Sequence, residues 1–168
     1  MKGKAKKKGT SSREQVRARS HVENIHDAYK MSAKLSDPAV CSECGAVYRR
    51  GRWIWGARPA AAVRTVCPAC RRIQDRFPGG VLHLSGPYLA EHREEILGLV
   101  RSQEAREKAE HPLVRIMAIT DKADGVDVTT THSHLVRRIG DALYSAHRGE
   151  LHLHYVDEDP AIRAEWRR

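Results

Sequence analysis

The chain has 168 residues, with 30 Lys and Arg against 21 Asp and Glu, 10 His, 4 Cys and 1 Phe. This length suits one ordinary domain, or one small domain joined to a metal-stabilised module, and it excludes an enzyme with separate cofactor and substrate domains. No apolar run approaches the ~18–20 residues of a membrane span, and the Lys-rich residues 1–12 lack the apolar core of a secretory signal. We therefore expect a cytoplasmic protein with reduced thiols and no membrane partner.

The positive charge is confined to the first half of the chain. Residues 1–76 hold 18 Lys and Arg against 6 Asp and Glu, a net charge of +12, whereas residues 77–168 hold 12 against 15, a net charge of −3. A basic part joined to a near-neutral part is typical of a protein that binds a polyanion with one of the two. No stretch of the basic half combines Lys and Arg with an apolar helical face, which disfavours a membrane surface as that polyanion.

Residues 1–38 are predicted to form a basic, disordered tail followed by a short helix. Residues 1–12 contain repelling lysines and nothing to bury. The spacing of Ser12 and Gln15 fits a capping box, which predicts a helix over 13–35. The tail lysines are candidate phosphate contacts: Lys2, Lys4, Lys6, Lys7 and Lys8.

Residues 39–78 contain all four cysteines, as two Cys-x-x-Cys pairs that predict a zinc ribbon. The pairs are Cys41–Cys44 and Cys67–Cys70. A Cys-x-x-Cys turn places two thiolates on one side of a tight loop, and two facing loops form a tetrahedral sulfur cage of the size that Zn²⁺ prefers. Because all four ligands come from the protein, one structural Zn²⁺ is expected rather than a catalytic one.

Three alternatives for the cysteines are weaker. Two disulfides conflict with an intracellular location. A thioredoxin-like redox role requires a single pair in a βαβ context, which is absent here. An iron–sulfur cluster uses the same ligand type and stays open, ranked below zinc.

From residue 79 to 157 the pattern predicts a ferredoxin-like α+β domain, β-α-β-β-α-β. Strands are expected at 81–85, 113–120, 126–130 and 151–156, with helices from Pro87 to about Glu110 and from Thr131 to Gly149. Residues 158–168 are predicted to be a C-terminal tail or short helix. The two helices would cover one sheet face, whose expected core residues are Leu82, Leu84, Val126, Val128, Leu151 and Leu153. The open face would carry His83, Arg115, Asp127, Thr129, His152 and His154.

Eight arginines lie within 28 residues in and after the ribbon, interleaved with tryptophans. The Arg guanidinium suits phosphate and also stacks on bases, and Trp offers a stacking face that tolerates any base. We therefore predict nucleic-acid binding, with the equal alternative that each Trp packs the ribbon's own core. RNA is favoured over DNA because no helix-turn-helix or two-Cys, two-His finger is present. The predicted contacts are Arg49, Arg50, Arg52, Trp53, Trp55, Arg58, Arg64, Arg71, Arg72 and Arg76.

The histidines of the open face raise the hypothesis of a second metal site. His83, His152 and His154 would be close if the first and last strands are neighbours, but a polar open face needs no metal to explain it. No Walker loop, no carboxylate pair in a clear cleft and no Ser-His or Cys-His signature is present, so a non-enzymatic protein without a small-molecule substrate is expected.

The chain resembles the amino-terminal region of the Nmd-three family, the adaptor that escorts the large ribosomal subunit in eukaryotes and has archaeal relatives, and it also resembles small bacterial proteins that contain only this part. The resemblance covers about residues 39–156. Its carriers are Cys41-x-x-Cys44-Gly45, Cys67-Pro-x-Cys70, the segment FPGGVLHLSG after the Arg-rich helix, and the block DVTTTHSHLVRRIGDAL…GELHLHY.

The resemblance implies binding to the large ribosomal subunit, with zinc as the cofactor and the four cysteines as its ligands. It also implies RNA contacts at Arg137 and Arg138 of the second helix. Longer members have further cysteine pairs, whereas this sequence has four cysteines. The implied role is therefore that of a ribosome- or RNA-associated factor rather than an export adaptor.

The leading hypothesis is thus a non-enzymatic zinc-ribbon protein that binds RNA, expected to be ribosomal. Two alternatives stay open. In one, the α+β domain is a protein–protein adaptor and the basic tail only adds solubility. In the other, the histidine face is a metal-dependent nuclease.

Overall fold

In the computed structural model, the chain is described at Tyr29, residues 35–154 and residues 161–168. The structure is α+β with two mixed sheets. The predicted lysine tail and the helix over 13–35 lie outside the described residues, apart from Tyr29 and Leu35.

The first sheet has four short strands and lies around the cysteines. Its order is β3-β2-β1-β4, with β1 antiparallel to β2 and parallel to β4. A helix, α1, follows, with Cys67 as its N-cap residue and Cys70 in its first turn. The bounds are β1 Ala39–Cys41, β2 Val47–Arg49, β3 Arg52–Ile54, β4 Val63–Thr65 and α1 Pro68–Asp75.

The second sheet has five strands, and two long helices cover one of its faces. The strand order is β6-β7-β5-β9-β8, in which β9 is parallel to β5 and antiparallel to β8. The elements are β5 Gly80–Ser85, α2 Pro87–Glu91, α3 Arg93–Glu110, β6 Ile116–Lys122, β7 Gly125–Thr130, α4 Ser133–His147, β8 Glu150–His154 and β9 Ile162–Arg167.

The predicted order β-α-β-β-α-β is present as β5 to β8, with the first helix divided into α2 and α3 at His92. The expected core residues Leu82, Leu84, Val126 and Val128 are all fully buried. They pack against α3 and α4, whose contributions include Ile96, Leu97, Val100, Leu135, Ile139 and Leu143.

The prediction for residues 158–168 was wrong, because Ile162–Arg167 form a strand inside the sheet rather than a tail or helix. Ile162, Ala164 and Trp166 alternate inward, and Trp166 is fully buried. Its indole N–H donates to the carbonyl of Arg148 (2.8 Å). Since β9 pairs with β5 and β8, the predicted first and last strands are not neighbours. Leu151 and Leu153 are only half-buried, as β8 lies at the sheet edge.

Candidate metal centre and basic surface

Two tight loops position the four cysteines. Cys41 ends β1, and the turn after it is closed by its amide donating to Ala46 O (2.8 Å) and its carbonyl accepting from Gly45 N (3.0 Å). Gly45 has a φ of +76°, a left-handed conformation that suits glycine. Cys67 caps the N-terminus of α1, where its sulfur accepts from the amide of Cys70 (3.4 Å). Both pairs therefore present their sulfurs by backbone geometry alone.

The four sulfurs of Cys41, Cys44, Cys67 and Cys70 all lie within 4.8 Å of one another, and none of the four is in a disulfide. The Cys44 and Cys67 sulfurs are 3.8 Å apart. A tetrahedral site with Zn–S bonds of about 2.3 Å has sulfur–sulfur edges of about 3.8 Å. The predicted grouping of the cysteines is thus confirmed, and the cluster is close enough to hold a metal ion.

Burial and backbone amides act in opposite directions on the thiols. Burial alone raises the pKa of Cys41, but hydrogen bonds from the amides of Cys67, Cys44 and Glu43 outweigh it and lower this pKa from 9.0 to about 7. At Cys67 burial dominates and, together with the neighbouring cysteines, raises the pKa strongly. Burial also raises the pKa of Cys70. A cation in the cluster would offset the cost of ionising these buried thiols.

Arg115 lies against this cluster, which the sequence analysis did not anticipate. Its Nη2 donates to the sulfurs of Cys67 (3.3 Å) and Cys70 (3.4 Å), with Cys44 at 3.7 Å. Only 8% of the residue is exposed. Burial lowers the pKa of Arg115, but the cysteines more than reverse this and raise it above its ordinary value. The prediction that placed Arg115 on the open sheet face was therefore wrong.

The two predicted tryptophans have separate environments. Trp53 pairs with Tyr48 across β2 and β3, at 5.5 Å between ring centroids, and packs against the cysteine cluster. Trp55 donates its indole N–H to the carbonyl of Lys108 on α3 (2.5 Å), while 38% of the residue stays exposed. The packing alternative thus describes Trp53. Base stacking by the exposed part of Trp55 remains a prediction.

Three of the predicted arginines share one face of the four-stranded sheet. Arg49 and Arg52 are direct partners on β2 and β3. Arg64 is paired with Val40, which is itself paired with Val47 on the same face. Since residues two apart on a strand share a face, the three arginines lie on the same sheet face as this apolar pair. We call Arg49, Arg52 and Arg64 the arginine face.

None of these three arginines has an ion-pair partner among the described residues, and all three are exposed. In the five-stranded domain, Arg93 pairs with Asp121 and Arg138 with Glu107 (3.0 Å), whereas the exposed Arg101 and Arg106 on α3 have no ion-pair partner in the described structure. Other predicted contacts in the first half are also exposed, namely Arg50, Arg58, Arg71 and Arg76. Arg137 is exposed on α4, and Lys2–Lys8 lie outside the described residues.

Arg72 differs from the other predicted RNA contacts. It is 4% exposed, its guanidinium lies 4.4 Å from the ring centroid of Tyr29, and its Nη1 donates to the carbonyl of Phe77. The hydroxyl of Tyr29 in turn donates to Asp75 (2.7 Å). The assignment of Arg72 to the RNA-binding set was therefore wrong, because its guanidinium is buried in a structural contact at the end of α1.

The three histidines of the open face do not come together. His83 lies between Asp127 (2.7 Å) and Asp124 (3.5 Å), whereas His152 and His154 are on the far side of β9. Glu165 on β9 occupies the register position between His83 and His152. Among the described residues, the cysteines are the one group of His, Cys, Asp or Glu that could hold a metal ion. The proximity on which the second-site hypothesis depended is therefore absent.

No protein-family model matches the chain, and no curated protein sequence matches it. In the part of the chain that the structure describes, every helix is too short or too polar to cross a bilayer.

Proposed function

We propose that this chain is a non-enzymatic zinc-ribbon protein that binds RNA, with ribosomal RNA of the large subunit as its target. The observation that carries the proposal is the arginine face: three exposed guanidinium groups on one sheet surface, with no carboxylate to neutralise them in the described structure. A guanidinium that makes no local ion pair is available to bind a phosphate group. Neighbouring strands are about 4.8 Å apart, so β2 and β4, which flank β1, lie about 10 Å apart across the sheet.

In this proposal one Zn²⁺ stabilises the surface that carries the arginines. The sulfur cluster has the donor set and the dimensions of a structural zinc site, with four protein ligands and none left for solvent. When bound, the ion would fix β1 and α1 relative to each other, because Cys41 ends β1 and Cys67 and Cys70 lie at the start of α1. The five-stranded unit is then a ferredoxin-like domain extended by β9, which acts as the rigid support.

RNA binding is tested by neutralising the arginine face. Arg49→Gln, Arg52→Gln and Arg64→Gln are combined and compared with a matched triple change on α3, at Arg101, Arg106 and Lys108, which are exposed in the near-neutral half. Binding to fluorescent rRNA fragments is measured by anisotropy from 50 to 300 mM salt. Loss of three phosphate contacts makes the negative slope of log K against log salt shallower by about 2 and weakens binding by roughly tenfold or more. The α3 variant should keep the slope of the unaltered chain. Equal slopes for all three proteins would refute the proposed surface.

Association with the ribosome is tested by sucrose-gradient sedimentation of a tagged chain. The proposal predicts co-sedimentation with large-subunit particles at low salt and its loss as salt rises. A protein partner captured with no salt dependence and no rRNA would support the adaptor alternative instead. RNA degradation that requires His152 would support the nuclease alternative.

A further inference from the structure

Arg115 is a buried charge whose guanidinium, among the described residues, has only sulfurs as hydrogen-bond partners. Its Nη2 is 3.3 Å from Cys67 Sγ and 3.4 Å from Cys70 Sγ. Its Nε is buried and has no hydrogen-bond partner. No ion pair joins it to a carboxylate in the described structure, in contrast to Arg93 and Arg138. A buried guanidinium without an anion is costly, so the identity of its counter-charge matters.

The cysteine cluster can supply that counter-charge only when its thiols are ionised. A neutral thiol is a weak acceptor, and four of them offer no net charge to a guanidinium. Four thiolates around a divalent ion carry a net charge of −2. The placement of Arg115 therefore fits a metal-loaded cluster and is unfavourable beside four neutral thiols.

The backbone of Arg115 is hydrogen-bonded to the five-stranded domain and not to the cysteine-bearing sheet. Its amide donates to the hydroxyl of Thr131 (2.9 Å), and its carbonyl accepts from the amide of Thr131 (2.9 Å). Thr131 follows β7, so these bonds fix Arg115 to the five-stranded sheet. Leu113, two residues before Arg115, packs against the cysteine cluster, and Trp55 contacts the carbonyl of Lys108. The guanidinium of Arg115 is thus the charged group at the interface between the cysteine-bearing sheet and the five-stranded domain, beside the contacts of Leu113 and Trp55.

We propose that Arg115 is an outer-sphere residue of the metal centre and that it couples metal occupancy to the docking of the cysteine-bearing sheet on the five-stranded domain. The inference rests on the proposed metal binding. Metal loading creates the anion that Arg115 faces, and the paired charges hold the two parts together. Metal loss leaves the guanidinium beside the Cys67 and Cys70 sulfurs without the metal-bound anion, and the interface loosens at Thr131.

The first measurement uses the unaltered chain. Hydrogen exchange is followed with and without a zinc chelator, and the reporter is the amide of Thr131, which lies outside the cysteine-bearing sheet. The coupling predicts at least tenfold faster exchange at Thr131 after chelation, while amides at the centre of the sheet, such as that of Leu82, change much less. An unchanged Thr131 amide in a chain that has demonstrably lost its metal would overturn the inference.

The second measurement compares buried-arginine variants in zinc competition against chelators of graded affinity. Arg115→Met removes the charge at similar length, Arg115→Lys keeps it, and Arg72→Met removes a buried arginine whose guanidinium lies over the ring of Tyr29. Changing a group outside the ligand set typically weakens metal binding 10–100-fold. We expect that loss for Arg115→Met, a smaller one for Arg115→Lys, and less than about threefold for Arg72→Met.

The outcomes separate the two proposals. If the unaltered chain binds no metal, the metal centre itself is refuted and the coupling fails with it. If the unaltered chain binds zinc tightly and Arg115→Met binds it equally well, only the coupling is refuted. If Arg115→Met does not fold, the exchange experiment on the unaltered chain still decides.

Discussion

Replacing Trp166 tests whether the last strand lies inside the sheet. Trp166 is fully buried among residues of both long helices and of β5, and its indole N–H donates to the Arg148 carbonyl. Truncating a fully buried Trp to Ala costs about 3–5 kcal/mol, because apolar contacts are lost and a cavity remains. Since domains of this kind have total stabilities of about 5–15 kcal/mol, Trp166→Ala should remove roughly a fifth or more of the stability.

Two further variants separate the sources of this loss. Trp166→Phe keeps most of the apolar volume but leaves the Arg148 carbonyl without its donor, and we expect a loss of roughly 1–2 kcal/mol. Glu165→Ala is the matched control on the same strand, because this side chain is 60% exposed. It should change stability by less than about 0.5 kcal/mol.

The free energy of unfolding is measured by urea titration of the metal-loaded chain, followed by far-ultraviolet circular dichroism so that loss of the Trp fluorophore has no effect. A loss below about 1 kcal/mol for Trp166→Ala, or an equal loss for Glu165→Ala, would refute the placement of β9 between β5 and β8.

Three further predictions concern the metal centre and the sheet. Cys67→Ser should lower bound metal from about one ion per chain to well below one, as measured by elemental analysis after desalting. The metal-free chain should gain stability as pH rises from about 7 to 9, because the folded pKa of Cys41 is lowered to about 7. Above about pH 9 it should lose stability, because burial raises the folded pKa of Cys67. Thermal melting across this range should show this maximum for the metal-free chain and no such maximum for the metal-loaded chain. Gly125→Ala should cost about 1–3 kcal/mol in urea titration, because a Cβ there would lie 1.9 Å from the carbonyl oxygen of Leu84, whereas Gly98→Ala on the open side of α3 should stabilise by about 0.5–1 kcal/mol.

The local elements of the second half follow from patterns that are visible in the sequence. Strict alternation in VLHLS gives β5 its two buried leucines, and a turn at Ala123 and Asp124, just before Gly125, joins β6 to β7. The apolar spacing of Leu135, Ile139 and Leu143 gives α4 its buried face. These signals are local, because side-chain direction within one element depends on nearby residues only.

The position of β9 has no comparable local signal. Ile162, Ala164 and Trp166 do alternate, but Arg163, Glu165 and Arg167 between them make the segment as polar as a solvent-exposed tail. Which strands become neighbours depends on long-range packing: β9 places a whole Trp side chain in the core, whereas β8 offers two half-buried leucines at the edge. Because β9 lies between β5 and β8, it also separates His83 from His152 and His154.

The metal ligands could be predicted from spacing, whereas Arg115 could not. Alternation in LVRIMAIT assigns Arg115 to the open face, but β6 begins only at Ile116 and its register shifts between Ile116 and Ala118. Arg115 therefore lies before the strand, where its side chain leaves the sheet and reaches the sulfurs. A charge pattern gives no sign of this, since a sequence does not show which arginine will be buried without a carboxylate. The four sulfurs and the lone guanidinium each carry an unfavourable buried charge when taken alone. Four thiolates, one divalent cation and this guanidinium leave a net charge of −1, so the cation and Arg115 each reduce the cost of burying ionised thiols.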